Sequence, residues 1–262
     1  MSYTLKKIIK NLFGKNEPVN GGWFGEYKIW EEAQSKTTGY DEGTILNKIK
    51  ESVLKVKRGE AAYERDSVAF EKFEYSEAFL NALKTAEKNN SLSVIDFGGS
   101  LGSQYFQYKR FFEGKEINWM VVEQKHFVDC GNKEITDDHL KFFNTIEEAL
   151  NYKKANCIIL SSVLPYLKEP YKMIEKILSY GFEYIIIDRT PFVKEEDFLT
   201  IQVVPESIYK ASYPAWFFNE SKMMKVFLDK YIIKQELSTP FTQPAIINGK
   251  EAVWKGFILE KK

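Results

Sequence analysis

The sequence predicts an α/β protein built on a mainly parallel β-sheet. From Ser91 onward, short apolar runs alternate with helical patterns, and this alternation is typical of parallel strands joined by right-handed helical crossovers. Near the end, YIIKQELS and AVWKGFILE are separated only by a loop, which is long enough for a hairpin but not for a helical crossover. We therefore expect a mixed sheet whose C-terminal strand is antiparallel.

The elements follow in a regular order. Residues 23–90 carry apolar positions at helical spacing, as in ILNKIKESVLKV, and predict a helical N-terminal cap without strands, over residues 1–90. The α/β domain then covers residues 91–262. Its strands are predicted by VIDF, INWMVVE, LKFF, NCIILSS, EYIIID and the two C-terminal runs, and its helices by QYFQYKRFF, IEEALNY and PYKMIEKILSYG.

Composition narrows the functional classes. The 262 residues have a formal net charge of zero, which gives no general electrostatic reason to bind nucleic acid. No apolar run is long enough to span a bilayer and no signal peptide is visible, so we expect a cytoplasmic protein.

Cys130 and Cys157 lack the spacing of a zinc site, and we expect no metal. Residues 2–13 form a basic amphipathic pattern that would dock on the protein itself or make weak peripheral contact with a membrane.

The stretch GGSLG, within SVIDFGGSLGSQYF, fits two templates. As a G-x-S-x-G nucleophile elbow it would make Ser100 the nucleophile of a serine hydrolase, with the catalytic histidine late in the chain. The chain has only His126 and His139, and both follow soon after Ser100. The order of residues therefore disfavours the hydrolase.

As a cofactor loop, the same stretch fits its surroundings better. Asp96 ends the first strand, Gly98, Gly99 and Gly102 follow, and Glu123 ends the second strand about 20 residues later, where a carboxylate can hold a ribose diol. A carboxylate there disfavours NADP. NAD is disfavoured because Ser100 and Ser103 stand where its motif needs glycines. A cofactor without a pyrophosphate suits the loop.

The loop D-F-G-G-S-L-G resembles the D/E-x-G-x-G-x-G loop of the seven-stranded, Rossmann-like class I methyltransferases, with Ser100 replacing the middle glycine. From about Trp23 to the C-terminus, the chain resembles bacterial methyltransferases often associated with surface-polysaccharide (capsule or O-antigen) biosynthesis. This resemblance is carried by WFGEYKIWEEA, GYD, YERDSVAF, VIDFGGSLGSQYF, VVEQ and IIIDRTPF, in this order. It implies S-adenosylmethionine as cofactor, bound by residues 91–262, and O-methylation of a small sugar-linked or phosphoryl acceptor.

The resemblance also implies roles for single residues. Asp96 and the loop from Gly98 to Gly102, Ser100 included, would border the methionine moiety, and Glu123 would hold the ribose. Because ligands of open α/β sheets bind beyond the carboxyl ends of the strands, Ser161, with Ser162, Pro165 and Tyr166, is expected to lie near the transferred methyl group. Asn144 would approach the adenine or cap a helix, and Arg65 would bind the methionine carboxylate or pair with Asp66. Tyr40 would be a further cofactor contact or, like the other aromatic residues of the cap, pack against the sheet.

The catalytic base is left open between His126 and Asp188, and an anionic acceptor would need none. Asp188 and Arg189 would form an ion pair or face the acceptor, where Pro191 is expected to end the fifth strand. A non-catalytic scaffold that keeps the cofactor pocket is the alternative from a different functional class. The oligomeric state stays open.

Overall fold

The structure is a computed structural model that describes residues 21–38, 42–206, 208, 210–237 and 243–262. Tyr40 and the amphipathic segment 2–13 lie outside these residues. The helices are α1 (Trp30–Ser35), α2 (Glu42–Lys57), α3 (Glu77–Ala86), α4 (Ser103–Tyr108), α5 (Lys125–Cys130), α6 (Ile146–Tyr152), α7 (Pro170–Tyr180) and α8 (Glu220–Leu228). The strands are β1 (Gly22–Tyr27), β2 (Tyr63–Arg65), β3 (Val68–Phe70), β4 (Ser91–Phe97), β5 (Glu116–Val122), β6 (Leu140–Phe143), β7 (Cys157–Ser161), β8 (Tyr184–Val193), β9 (Phe198–Val203), β10 (Ser212–Asn219), β11 (Tyr231–Leu237), β12 (Ala245–Ile247) and β13 (Lys250–Lys261).

The central sheet confirms the predicted fold class. Strands β6, β5, β4, β7 and β8 lie side by side and are all parallel. Strand β13 pairs antiparallel with β8, and β11 pairs antiparallel with β13. These seven strands therefore point in one direction except for β13, as the C-terminal sequence pattern predicts.

Both faces of this sheet are buried. Along β4, Val94 belongs to the apolar cluster that includes α3, whereas its neighbour Ile95 belongs to the cluster that includes α6 and α7. Parallel strands covered on both faces read as nearly continuous apolar runs, which is why VIDF lacks a polar face. No helix within the described ranges is long and apolar enough to cross a membrane.

The prediction of a cap without strands is wrong. Strand β1 pairs antiparallel with β9 and extends the sheet beyond β10, because β9 offers an open edge that local helical spacing cannot reveal. Strands β2 and β3 form a hairpin whose two turn residues, Asp66 and Ser67, both have positive φ. That geometry is typical of a type I′ turn, but Asp-Ser lacks the glycine that would signal one.

Pro191 does not end the fifth strand of the central sheet. Strand β8 continues through it to Val193, and Pro191 lies opposite Trp254 of β13. On its other edge, β8 pairs with β7 only as far as Asp188 and with β10 only from Phe192. The proline therefore falls between two ladders, where the missing N–H costs little.

Candidate functional site at the carboxyl edge of the sheet

Three neighbouring parallel strands carry, or lead directly into, a residue with strained backbone at the same edge of the sheet. Ser100 follows β4 with φ +55°, Ser162 follows β7 with φ +56°, and Arg189 has φ +50° at the point where β8 leaves β7. Residues other than glycine in this conformation each cost about 1 to 3 kcal/mol, and such strain concentrates at functional sites. Ligands of open α/β sheets bind at this carboxyl edge.

Glu123 connects the end of β5 to the GGSLG loop. Its Oε1 accepts a hydrogen bond from the Ser100 N–H at 3.2 Å, and its Oε2 accepts one from the Gln124 N–H at 2.7 Å. Burial raises the pKa of Glu123, while these two N–H groups and the nearby His126 act in the opposite direction. Glu123, which is predicted to bind the ribose, thus lies directly beside the predicted cofactor loop.

The glycines of the loop are required by the protein's own packing. A Cβ atom at Gly98 would lie 2.5 Å from Val163 Cγ2, and one at Gly102 would lie 2.8 Å from Leu140 Cδ2. Both residues also have positive φ, at +74° and +85°. A Cβ at Gly99 would lie 2.5 Å from the Asp96 carboxyl carbon. Room for a ligand is therefore not needed to explain the three glycines.

Asp96 lies beneath the loop, with 1% of its surface exposed. The indole Nε1–H of Trp119 donates to Asp96 Oδ2 at 3.0 Å. Burial raises the pKa of Asp96 to about 7, against the lowering effect of that hydrogen bond. The carboxyl group of Asp96 is thus hydrogen-bonded to Trp119 and lies beneath Gly99. Asp96 therefore supports the loop that is predicted to border the methionine moiety.

A polar network joins the ends of β7 and β8. Ser161 Oγ donates to Asp188 Oδ2 at 2.9 Å and accepts from Gln104 Nε2 at 3.1 Å and from Arg189 Nη2 at 3.2 Å. Arg189 Nε lies 3.4 Å from Asp188 Oδ2, so the ion pair considered from the sequence is present. Burial raises the pKa of Asp188, and the charge of Arg189 and the hydrogen bond from Ser161 oppose that rise.

The β2–β3 hairpin of the cap lies over this edge and contributes a residue that the sequence analysis missed. Glu64 is 4% exposed; it accepts hydrogen bonds from the Ser103 hydroxyl, at the start of α4, and from the Ser67 N–H at 2.8 Å. Burial raises the pKa of Glu64 to about 7, with the Ser103 hydrogen bond acting in the opposite direction. Its position next to Arg65 in YERDS gives no local signal of burial.

Arg65 comes to the same edge. Its Nη2 donates to the Tyr63 hydroxyl at 3.2 Å, and its guanidinium carbon lies 5.3 Å from the centre of the Tyr63 ring. Among the described contacts there is no ion pair between Arg65 and Asp66. Its charge reaches Asp188, whose pKa it helps to lower. The guanidinium that was predicted to bind a carboxylate thus lies near the Ser161–Asp188 network.

Asn144 and His126 flank the other side of the site. Asn144 is exposed, and Thr145, not Asn144, caps α6 by accepting from the Glu148 N–H at 3.1 Å. The Asn144 N–H donates to Glu148 Oε2 at 2.9 Å, so the helix-capping role considered for Asn144 belongs to its neighbour. His126 lies in the first turn of α5, close enough to Glu123 to lower the pKa of that carboxyl.

The hydrolase template lacks its geometry. The Ser100 hydroxyl oxygen is buried and has no hydrogen-bond partner among the described residues. His139 precedes β6, and its Nδ1 lies 3.2 Å from the carbonyl oxygen of Ile117, near the amino end of β5. That is the opposite edge of the sheet from Ser100, so His139 cannot serve as its base.

A cavity of about 950 Å³ lies at that opposite edge and contains none of the predicted cofactor residues. It runs between the end of α2, α4 and the turns before β5 and β6, next to His139. Because ligands of open α/β sheets bind at the carboxyl edge, size alone does not make this cavity the candidate site. The carboxyl edge instead combines strain, buried carboxylates and two guanidinium groups.

Neither a family model nor a curated protein sequence matches the chain. Among solved structures, it is similar to the 1,6-didemethyltoxoflavin-N1-methyltransferase of Burkholderia thailandensis, with 9% identity, a TM-score of 0.46 and coverage of 95% of this chain and 98% of that one. It is also similar to the glycopeptide N-methyltransferase MtfA in complex with S-adenosyl-L-methionine, with 10% identity, a TM-score of 0.46 and coverage of 71% and 93%. Because so few residues are identical, these similarities say nothing about individual site residues.

Proposed function

We propose that this protein is an S-adenosylmethionine-dependent methyltransferase whose site is the carboxyl edge of β4, β5, β7 and β8. The observation that carries the proposal is the junction of Glu123 with the GGSLG loop, through the hydrogen bond from the Ser100 N–H at 3.2 Å. A carboxylate at the end of the second strand, next to the glycine loop after the first, is the arrangement that holds an adenosyl ribose.

The residues present fit this cofactor. The Glu123 carboxylate accepts one N–H at each oxygen, and each oxygen has a further lone pair for a ribose hydroxyl. Arg65 supplies a planar fork suited to the methionine carboxylate, and Asn144 is exposed beyond β6, where an adenine edge would lie. When bound, S-adenosylmethionine supplies an electrophilic methyl group on a sulfonium ion.

The residues of this chain would then position an acceptor and handle its proton. Asp188 is the better base of the two candidates, because it is buried and accepts a hydrogen bond from Ser161 at the end of β7. His126 lies beside Glu123, on the side proposed for the ribose. A base with a raised pKa is suited to accept a proton near neutral pH.

We further propose a small acceptor that is sugar-linked or phosphoryl, within surface-polysaccharide biosynthesis. The support for this class is the sequence resemblance from about Trp23 to the C-terminus. Oxygen is the proposed methyl-accepting atom, since a carboxylate base such as Asp188 can take a proton from a hydroxyl group during transfer.

Isothermal titration calorimetry tests the cofactor. We expect S-adenosylmethionine and S-adenosylhomocysteine to bind the full chain and NAD not to bind. Glu123→Ala should weaken the binding of S-adenosylhomocysteine by about 10- to 150-fold, the range for hydrogen bonds to a charged group. Glu116→Ala, at the exposed opposite end of β5, is the matched control and should change affinity less than about twofold.

Two results would overturn the proposal. One is the absence of heat from either S-adenosyl ligand with folded protein. The other is equal affinity of the Glu123→Ala and Glu116→Ala variants for S-adenosylhomocysteine, which would show that the cofactor does not contact Glu123 at the end of β5. Binding that is followed by no methyl transfer to any tested hydroxyl acceptor would favour the scaffold alternative over the enzyme.

A further inference from the structure

Arg189 carries more hydrogen-bond donors than its surroundings use. Its Nη2 donates to Ser161 Oγ at 3.2 Å. Its Nε is buried and has no hydrogen-bond acceptor among the described residues, although Asp188 Oδ2 lies 3.4 Å away. A guanidinium offers five N–H donors, and buried donors in proteins are nearly always paired. Arg189 therefore keeps N–H donors that can bind oxygen atoms of a ligand.

Arg189 has a strained backbone conformation at this edge of the sheet. Arg189 has φ +50°, a conformation that disfavours a long side chain. Its side chain is 18% exposed, so the guanidinium is mostly shielded from solvent but remains partly accessible. Backbone strain at a sheet edge, beside the buried carboxyl group of Asp188, points to a binding role.

The position of Arg189 separates it from Glu123, the proposed ligand of the cofactor ribose. Strand β8 lies three strands from β5, in the order β5, β4, β7, β8, which corresponds to roughly 14 Å at the usual spacing between strands. Glu123 and Arg189 therefore lie at opposite ends of the site. With the ribose on Glu123, the β8 side is left for the acceptor.

Charged groups of both signs surround Arg189. Arg189 and Arg65 both act on the buried Tyr108 hydroxyl, and both lower its pKa against the effect of burial. The opposing carboxylates are Asp188 and Asp66, which act on Arg189. Glu64, held by Ser103, has a pKa raised by burial to about 7, so it carries only part of a charge near neutrality. Arg65 and Arg189 thus lie among the acidic side chains of Asp66, Asp188 and Glu64. An anion would therefore bind here through the unused N–H donors of Arg189 and not through an excess of positive charge.

We propose that Arg189 anchors an oxyanion of the methyl acceptor, a carboxylate or a phosphate group, through the N–H donors that the protein leaves unused. This inference rests on the proposed methyltransferase function and narrows its acceptor to an anionic compound. A planar guanidinium binds both oxyanions through paired, charge-assisted hydrogen bonds. The acceptor's reacting hydroxyl group then lies beside Asp188, which is next to Arg189 in β8.

The test uses the full chain saturated with S-adenosylhomocysteine and two probes, inorganic phosphate and acetate, at constant ionic strength. Each probe is titrated while the thermal midpoint is followed, since a ligand that binds the folded state raises it. We expect at least one probe to bind, and Arg189→Gln to weaken that binding by about tenfold or more. Arg58→Gln is the control, because Arg58 is exposed and paired with Glu60.

Arg189→Lys covers the case in which Arg189→Gln does not fold. It keeps the charge but loses the fork, so we expect it to weaken anion binding by a smaller factor. The relative strength of phosphate and acetate shows which oxyanion the acceptor carries. The affinity for S-adenosylhomocysteine should stay within about threefold of wild type in both variants.

Three outcomes overturn the inference: no binding of either probe, equal binding in wild type and the Arg189 variants, or competition between the probe and S-adenosylhomocysteine. The last would place Arg189 in the cofactor site. These outcomes are distinct from failure of the proposed function, which would appear earlier as the absence of S-adenosylhomocysteine binding to the wild-type protein.

Discussion

Replacing Ser100 by glycine should stabilise the protein. Ser100 has φ +55°, and for a residue with a Cβ this conformation costs about 1 to 2 kcal/mol. Its hydroxyl is buried and lacks a partner among the described residues, which costs about 1 kcal/mol more at the low end of the range. Glycine lowers this gain by about 0.4 to 1 kcal/mol, because it increases the conformational entropy of the unfolded chain. The net gain is therefore about 1 kcal/mol or more.

Thermal and urea unfolding measure this gain. For a chain of this size, each 1 kcal/mol shifts the midpoint by about 2 to 4 °C. Ser67→Gly is the matched control, because Ser67 also has positive φ, at +70°, and a buried hydroxyl oxygen without a described partner, but lies in the β2–β3 turn. Ser100→Ala should gain less than Ser100→Gly, since alanine keeps the backbone strain.

The same variant separates the two interpretations of GGSLG. If Ser100 belongs to a cofactor loop, the glycine variant keeps its backbone N–H to Glu123 and its affinity for S-adenosylhomocysteine. A nucleophilic Ser100 predicts that the variant loses hydrolytic activity by several powers of ten. A glycine variant less stable than wild type, with Ser67→Gly stabilised as expected, would refute the strain argument for this loop.

Two further predictions concern the buried carboxyl group and the glycines. Because Glu64 has a pKa of about 7 in the folded protein against 4.5 for an ordinary glutamate, the folded state binds its proton more tightly. The contribution of Glu64 to the free energy of unfolding therefore falls by about 3 kcal/mol as pH rises from about 4.5 to about 7. Glu64→Gln should flatten that part of the stability profile, and an unchanged profile would contradict the burial argument. Gly102→Ala should destabilise more than Gly114→Ala by about 1 to 3 kcal/mol, because both have positive φ but only Gly102 faces Leu140; equal losses in urea unfolding would show that Leu140 moves aside.

The sequence was sufficient for the features that depend on local pattern. Continuous apolar runs predict the buried parallel strands, and the position of Glu123 after the second run places it next to GGSLG, as found. The strand at Gly22–Tyr27 and the hairpin at Tyr63–Phe70 were missed, because one depends on the open edge of β9 and the other on a turn without glycine.

The missed site residue has the same kind of origin. Glu64 meets Ser103 across 39 residues of sequence, and only the fold brings the cap hairpin onto the start of α4. The backbone strain at Ser162 and Arg189 could not be predicted from the sequence either, since serine and arginine rarely have positive φ. Contacts between distant segments, and not residue types, decide this part of the site.

The most direct test of the central claim is a crystal structure of the full chain with S-adenosylhomocysteine. We expect both ribose hydroxyls within about 2.6 to 3.2 Å of the Glu123 carboxylate, with the sulfur atom directed toward Ser161 and the β8 side left open near Arg189. A ligand bound instead in the cavity at the opposite edge, beside Tyr105 and His139, would contradict it.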